Sequence, residues 1–282
     1  PMTRNLRSEE VGTPPIARRR VWPLVTALLA GLLALGILAM CLGNYQVAPS
    51  TVAKILVGQI PGIHADVTWP RAVETVVLQV RLPRTLGAMC VGAALALSGA
   101  TYQGVFRNPL VSPDLLGVSA GACVGAASAI LLHTGRASLQ VMALATGLAA
   151  VALATFIPRL LRNTSTMTLI LSGVIVAGLM NSTLGLFKYI ADPETELADI
   201  TYWMMGSFSL IKGSELLMVA PVMALAATIL FAIRWRINLL SLGDQQAKSL
   251  GVSLRSTRLT TIVCSTALTG CAVCISGTVG WV

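Results

Sequence analysis

The chain has 282 residues, 55% of them hydrophobic and only 11% charged, with a mean hydropathy of +0.78. A soluble domain carries about 25% charged residues, and here the apolar excess is broken into runs of about 18 residues or more, so a single soluble core is excluded and a polytopic membrane protein is indicated. A net charge of +9 could suggest a nucleic-acid binder. The charges lie between the apolar runs, however, as the preference for basic residues on the inner side of a membrane predicts, so no nucleic-acid partner is expected.

Residues 1–20 form a polar, basic tail with Arg4, Arg7 and Arg18–Arg20, expected inside. The apolar run 21–43 is too long for the hydrophobic part of a signal peptide and has no clear cleavage site, so it reads as span 1. Residues 44–80 hold Pro49, Pro61 and Pro70 and read as an outer loop with a short surface helix at Thr51–Gly58. A basic turn, Arg81-Leu82-Pro83-Arg84, precedes a 22-residue run without charge, residues 85–106, taken as span 2. Asn108-Pro109 and Ser112-Pro113 mark a turn, because proline lacks a donor and restricts its predecessor. Span 3 is expected at 115–133 and span 4 at 138–157, ended by Pro158, Arg159 and Arg162. Span 5, at 166–187, holds Gly173, Gly178, Asn181 and Gly185 and is the most polar of the set. The acidic stretch 188–199 must be wet, and Tyr202 and Trp203 suit a short helix at a membrane interface. Span 6 is expected at 215–233 and span 7 at 259–280. The fold class is therefore all-α, a transmembrane helical bundle of about seven spans occupying residues 21–282.

On this topology most of the 20 basic residues fall inside and most of the 11 acids outside, which supports an inner N-terminus. Apart from Glu215 at the first position of span 6, none of the expected spans contains Asp, Glu, Lys or Arg, which argues against a proton-coupled carrier. No P-loop, HExxH or G-x-S-x-G pattern is present, so the chain is not expected to be an enzyme or to need a cofactor. Cys271 and Cys274 form a CxxC without a second such pair or a nearby histidine, and no metal site is expected. Small residues recur every fourth position at Gly92, Ala96, Ala100 and Gly104, and again at Gly117, Gly121 and Gly125, a spacing that lets helices pack closely in lipid. Asn181, Ser182 and Thr183 are candidate pathway-lining residues, with interhelical hydrogen bonding as the alternative. The segment 239–256 is amphipathic and soluble in character. In it Asp244 can cap a helix start, Ala247 and Leu250 form one small apolar face, and Gly251 can end the helix.

Taken together, RLPR at 81–84, GAALALSGATYQG at 92–104, RNPLVSPDLLGVSAGA at 107–122 and LGDQQAKSLGV at 242–252 resemble the FecCD-type permeases of ABC importers for iron–siderophores, haem and vitamin B12. The resemblance covers roughly residues 20 to 282. It implies a bacterial inner-membrane protein working with a second permease subunit, two cytoplasmic P-loop ATPases and an extracytoplasmic substrate-binding protein, with ferric siderophore the favoured substrate. It implies that Leu242, Gly243, Asp244, Ala247, Leu250 and Gly251 belong to a cytoplasmic coupling helix seated on the ATPase. Arg81 and Arg84 would dock acidic residues of the binding protein, with snorkelling at the headgroups as the alternative. Family members run to about ten spans, so about three are expected beyond those read here. The competing class is a carrier or channel that uses no ATPase.

Overall fold

The computed structural model describes residues 21–43, 45–60, 69–162 and 165–279; the basic tail of residues 1–20 and His64 lie outside the described residues. Among the described residues the structure is helical, with no strand. Helix α1 (Val21–Cys41) is followed by a short α2 (Pro49–Gly58). Next comes a continuous 36-residue helical rod from Arg71 to Phe106, made of α3 (Arg71–Thr75), a π-helical turn (Val76–Arg81) and α4 (Leu82–Phe106).

The basic turn expected at residues 81–84 is thus helix. Pro83 has no N–H, and its ring crowds the carbonyl four residues back. The chain absorbs this by widening one turn: the Leu82 amide donates to the Val77 carbonyl, five residues back. At 1.5 Å per residue the rod is about 54 Å long, well beyond a hydrocarbon core of about 30 Å. Its charge-free part from Thr85 to Phe106 crosses the core, and the portion before it projects out.

Span 3 is shorter than expected. Pro113–Leu116 forms a 3-10 turn, Gly117 takes φ +78°, and α5 runs only from Val118 to Leu131. Its 14 residues reach about 21 Å. Among the described residues the bundle therefore has six helices long and apolar enough to cross a membrane, with α5 a shorter apolar helix among them. The others follow in order: α6 (Arg136–Leu160), α7 (Thr166–Ile190), the short α8 (Glu196–Met205), α9 (Gly213–Ala232), α10 (Arg234–Leu242), α11 (Asp244–Ser249) and α12 (Leu254–Ser276).

Helix α12 is the hub. It packs on α4, α9, α6 and α5 and is buried along most of its length. Its sequence explains this. Small residues such as Gly270, Cys271, Ala272 and Cys274 let neighbours approach on every side. Most of its buried hydroxyls are satisfied either by its own backbone, as for Thr261 on the Thr257 carbonyl at 2.9 Å, or by α4, while the buried Thr257 hydroxyl has no hydrogen-bond partner among the described residues. The two small-residue stripes behave differently. A β-carbon on Gly121 would stand 2.7 Å from the Ala150 β-carbon and the Thr146 carbonyl of α6, so that contact needs glycine. Gly92, Ala96 and Ala100 instead face outward, and α4 turns Val91, Ala94, Ser98 and Thr101 to the core.

Candidate functional site at the two ends of the bundle

The segment between α9 and α12 is a pair of short helices hinged at Gly243, whose φ of +129° an L side chain rarely adopts. Helix α11 ends as expected near Gly251. The Gly251 amide donates to the Lys248 carbonyl and the Val252 amide to the Ala247 carbonyl, both at 3.0 Å, with Gly251 at φ +78°. This pair of bonds closes the helix and satisfies two of its last carbonyls.

Ala247 does not share an outward face with Leu250. It is fully buried and packs in the core with Ile237, Leu239 and Leu240, because α11 folds back over α10. Leu242 and Leu250, 62% and 60% exposed, are the apolar side chains that the segment presents to its surroundings around α11, with Trp235, 69% exposed, at the start of α10.

Asp244 is not the N-cap of α11; Gly243 holds that position. Its carboxylate is instead the meeting point of three elements. Arg258 at the start of α12 donates to its two oxygens at 2.8 and 3.0 Å, and Arg107 at the end of α4 donates at 3.3 Å. Arg107 reaches it from a left-handed C-cap at φ +53°. One carboxylate thus ties the segment to the two helices that form the centre of the bundle.

Asp114, in the turn between α4 and α5, accepts from the Ser119 amide at 2.9 Å and so caps α5. Burial pushes its pKa up from the usual carboxylate value, and the hydrogen bonds from Ser119 offset part of that.

At the opposite end, Arg81 and Arg84 part company. Arg84 is exposed, on the wall of a groove of about 900 Å3 between α1 and α4. Arg81 is only 9% exposed. Its guanidinium donates to the carbonyls of Met40 at 2.7 Å and Cys41 at 3.2 Å, and to that of Tyr45. These include carbonyls of the last turn of α1, which have no partner within their own helix. The fork is therefore spent inside the protein on holding α1 to the rod. Two side-chain contacts brace the same end, His133 with Glu196 at 3.2 Å and the ion pair of Arg136 with Glu215 at 3.6 Å.

Asn181, Ser182 and Thr183 lie midway along α7, distant in the chain from both clusters. Asn181 and Ser182 are exposed and Thr183 is half-buried. Ser182 and Thr183 donate to the carbonyls of Gly178 and Leu179, so their hydroxyls bond within their own helix and not to a neighbour.

A polar seam not anticipated from the sequence runs between α4 and α12. Ser98 meets the Thr269 hydroxyl at 2.8 Å, Thr101 the Ser265 hydroxyl at 2.7 Å, and Tyr102 the Thr266 hydroxyl at 3.0 Å. The spacing Ser98, Thr101, Tyr102 against Ser265, Thr266, Thr269 was the signal available: hydroxyls at helical intervals on two apolar runs. Among the described residues no group of three or more His, Cys, Asp or Glu could hold a metal ion.

Comparison with known proteins places this geometry. Residues 31–282 match the model of the FecCD transport family. The molybdate import system permease protein MolB of Haemophilus influenzae is 37% identical over 246 residues, 87% of this chain and 72% of that protein. The vitamin B12 import system permease protein BtuC of Salmonella paratyphi A is 35% identical, over 94% of this chain and 76% of its own. A solved structure of a metal-chelate type ABC transporter in an inward-facing conformation superposes with TM-score 0.80 at 35% identity, covering 92% of this chain and 77% of that one. The chain belongs to the FecCD transport family.

Proposed function

We propose that this chain is the membrane-spanning permease subunit of a binding-protein-dependent ABC importer, and that its cargo is a metal chelate of the ferric-siderophore class. The observation that carries the reading is the Gly243-hinged segment. It presents Leu242 and Leu250 outward while Asp244 locks it to α4 and α12. A short capped helix with two exposed leucines suits a groove on another protein, and the chain has no P-loop of its own. Family membership supports a partner ATPase on that face. The Asp244 end carries Arg107, Arg159, Arg162, Lys248, Arg255 and Arg258, which supports a cytoplasmic position for it. At the other end the docking role falls to Arg84, whose guanidinium is exposed, with acidic residues on the binding protein as its targets. Asn181 and Ser182, exposed on α7, are proposed to line the pathway against a second permease subunit.

Relatives named for molybdate and vitamin B12 stand beside the metal-chelate neighbour, so cargo must be tested directly. Uptake of labelled ferric siderophore, molybdate and cobalamin would be measured in cells with this permease deleted and restored. ATP-dependent uptake of the iron chelate alone supports the cargo; uptake of molybdate alone overturns it and leaves the importer reading standing. Transport by the purified chain without any ATPase would favour a carrier and refute the importer reading.

A further inference from the structure

A cleft of about 1060 Å3 opens at the Asp244 end, between the end of α6 and the starts of α7 and α12, with α11 as its fourth wall. Arg159, Arg162, Lys248, Arg255 and Arg258 line it, against a single carboxylate, Asp244. That carboxylate is shared between Arg258 and Arg107. Arg159, Arg162, Lys248 and Arg255 make no ion pair among the described residues. The N-termini of α7 and α12 open into the same space and add positive potential. The lining of the cleft is therefore cationic, with five basic side chains against one carboxylate.

It is also continuous with a second, apolar groove of about 600 Å3 between α6 and α12. Thr155, Arg159, Leu259 and Ile262 belong to both. The walls of the groove are exposed apolar side chains, among them Leu148, Phe156 and Val263. From Leu148 to Arg159 the groove follows α6 for about 16 Å, close to one leaflet of a hydrocarbon core of about 30 Å. A free phosphate fits the cleft and leaves the groove bare. An acidic peptide from a soluble partner would not reach down it.

We propose that cleft and groove together hold one phospholipid with an anionic headgroup, its phosphate among Arg159, Arg255 and Arg258 and an acyl chain between α6 and α12. Basic pockets between membrane helices hold such headgroups. Lys248 and Asp244 bring α11 into contact with the headgroup, so the bound lipid braces the segment that faces the partner ATPase.

The test is native mass spectrometry of the full-length permease, alone and with its ATPase, after delipidation and addition of phosphatidylglycerol or phosphatidylcholine. Phosphatidylglycerol should be retained in preference, and R159Q with R255Q should cut that retention roughly thirtyfold, from two surface cations removed. V263W, which fills the groove and leaves every charge in place, should cut it as well. Equal retention of the two lipids overturns the proposal, as does no effect of the double variant in a protein that still elutes as a single species. Displacement by millimolar inorganic phosphate, with V263W without effect, would make this a free-anion site. Expulsion of phosphatidylglycerol on addition of the ATPase would make it a partner contact. Either result refutes the lipid.

Discussion

Replacing Arg81 separates two uses of one side chain. If it docks a partner, its loss weakens association and leaves the fold intact. The structure puts its guanidinium on the carbonyls of Met40, Cys41 and Tyr45. Met40 and Cys41 are both buried. Arg81→Ala therefore leaves the buried Met40 carbonyl without a donor and out of reach of most water, while the Cys41 carbonyl keeps the Val47 amide at 3.3 Å. Each such group costs about 1–3 kcal/mol. Tyr45 is half exposed and can turn to solvent, so the expected total is about 2 kcal/mol. Arg81→Lys keeps charge and donors but loses the fork, and should recover about half of that loss.

The damage is local, between α1 and the rod, so a global melt alone would understate it. Cys41 is free and buried beside the site and reports directly. Its maleimide labelling in micelles should accelerate strongly in Arg81→Ala and modestly in Arg81→Lys. Gly43→Ala should act in the same direction, because its β-carbon would sit 2.7 Å from the Arg81 Nη2. An Arg81→Ala protein with unchanged Cys41 protection and lost binding-protein affinity would refute this reasoning and restore the docking role.

The two small-residue stripes should give opposite results. Gly125→Leu drives a side chain into the Met142 carbonyl and the Thr146 hydroxyl and should cost about 3 kcal/mol or more, read as loss of monodisperse protein. A β-carbon on Gly92, which faces outward, meets nothing within 4 Å, and Gly92→Leu should be neutral in the isolated chain. Asp114 has a raised pKa, so its contribution to stability is fully present below the ordinary value of 3.8 and is lost as pH rises through the folded-state value. Asp114→Asn keeps an acceptor for the Ser119 amide and should flatten that acid-side dependence without loss at neutral pH; a clear loss at pH 7 would refute it. In a cysteine-free background, a cysteine at Glu194 should label from outside intact cells and one at Gln246 should not, and labelling of both from one side would overturn the proposed orientation.

The bundle was legible in the sequence because lipid leaves the chain few options. Uncharged runs of about 20 residues must be helices, and α1, α4, α6, α7, α9 and α12 all fall on such runs. Span 3 was overread because residues 115–117 are as apolar or as small as those that follow. Hydropathy does not register that Pro113 starts a tight turn and Gly117 ends it with a positive φ. The rod through Arg81 was missed for a related reason. Proline beside charge reads as a break, and only the wider π turn lets the helix continue. The site residues were less legible still. Asp244 looked like a cap because it follows a glycine and precedes a short helix. Its partners, Arg107 and Arg258, lie 137 and 14 residues away. No local pattern reports such pairs, and the same holds for Arg81 and α1, 40 residues apart.

Magnitudes decide how a push on α11 would reach the rest of the bundle. Two connections run from it to the core. One is the Asp244 cluster, where side chains of Asp244 and Arg107 are 39% and 43% exposed and that of Arg258 25%. Ion pairs that wet are worth about 1 kcal/mol or less each. The other is apolar: Leu239, Leu240 and Ala247 are buried in the cluster that includes α4, α9 and α12. Burying one leucine side chain is worth about 1.5–3 kcal/mol, so this contact is the stronger link. Asp244 then sets the register of the segment, and the leucines carry the load. Beyond them α12 is stitched to α4 by buried hydroxyls and, at its far end, to the loop after α8 by the Ser207 amide on the Ser276 carbonyl at 2.7 Å. A displacement at one end would therefore travel as a helix movement and not dissipate in side chains. If α11 seats a partner ATPase as proposed, Leu240→Ala should uncouple ATP hydrolysis from uptake more severely than Asp244→Asn, both measured in proteoliposomes with the ATPase and binding protein present. Raised salt should weaken coupling in the parent only slightly, since the ion pairs are the minor term. The reverse order, with Asp244→Asn uncoupling and Leu240→Ala near normal, would show that the carboxylate transmits the force.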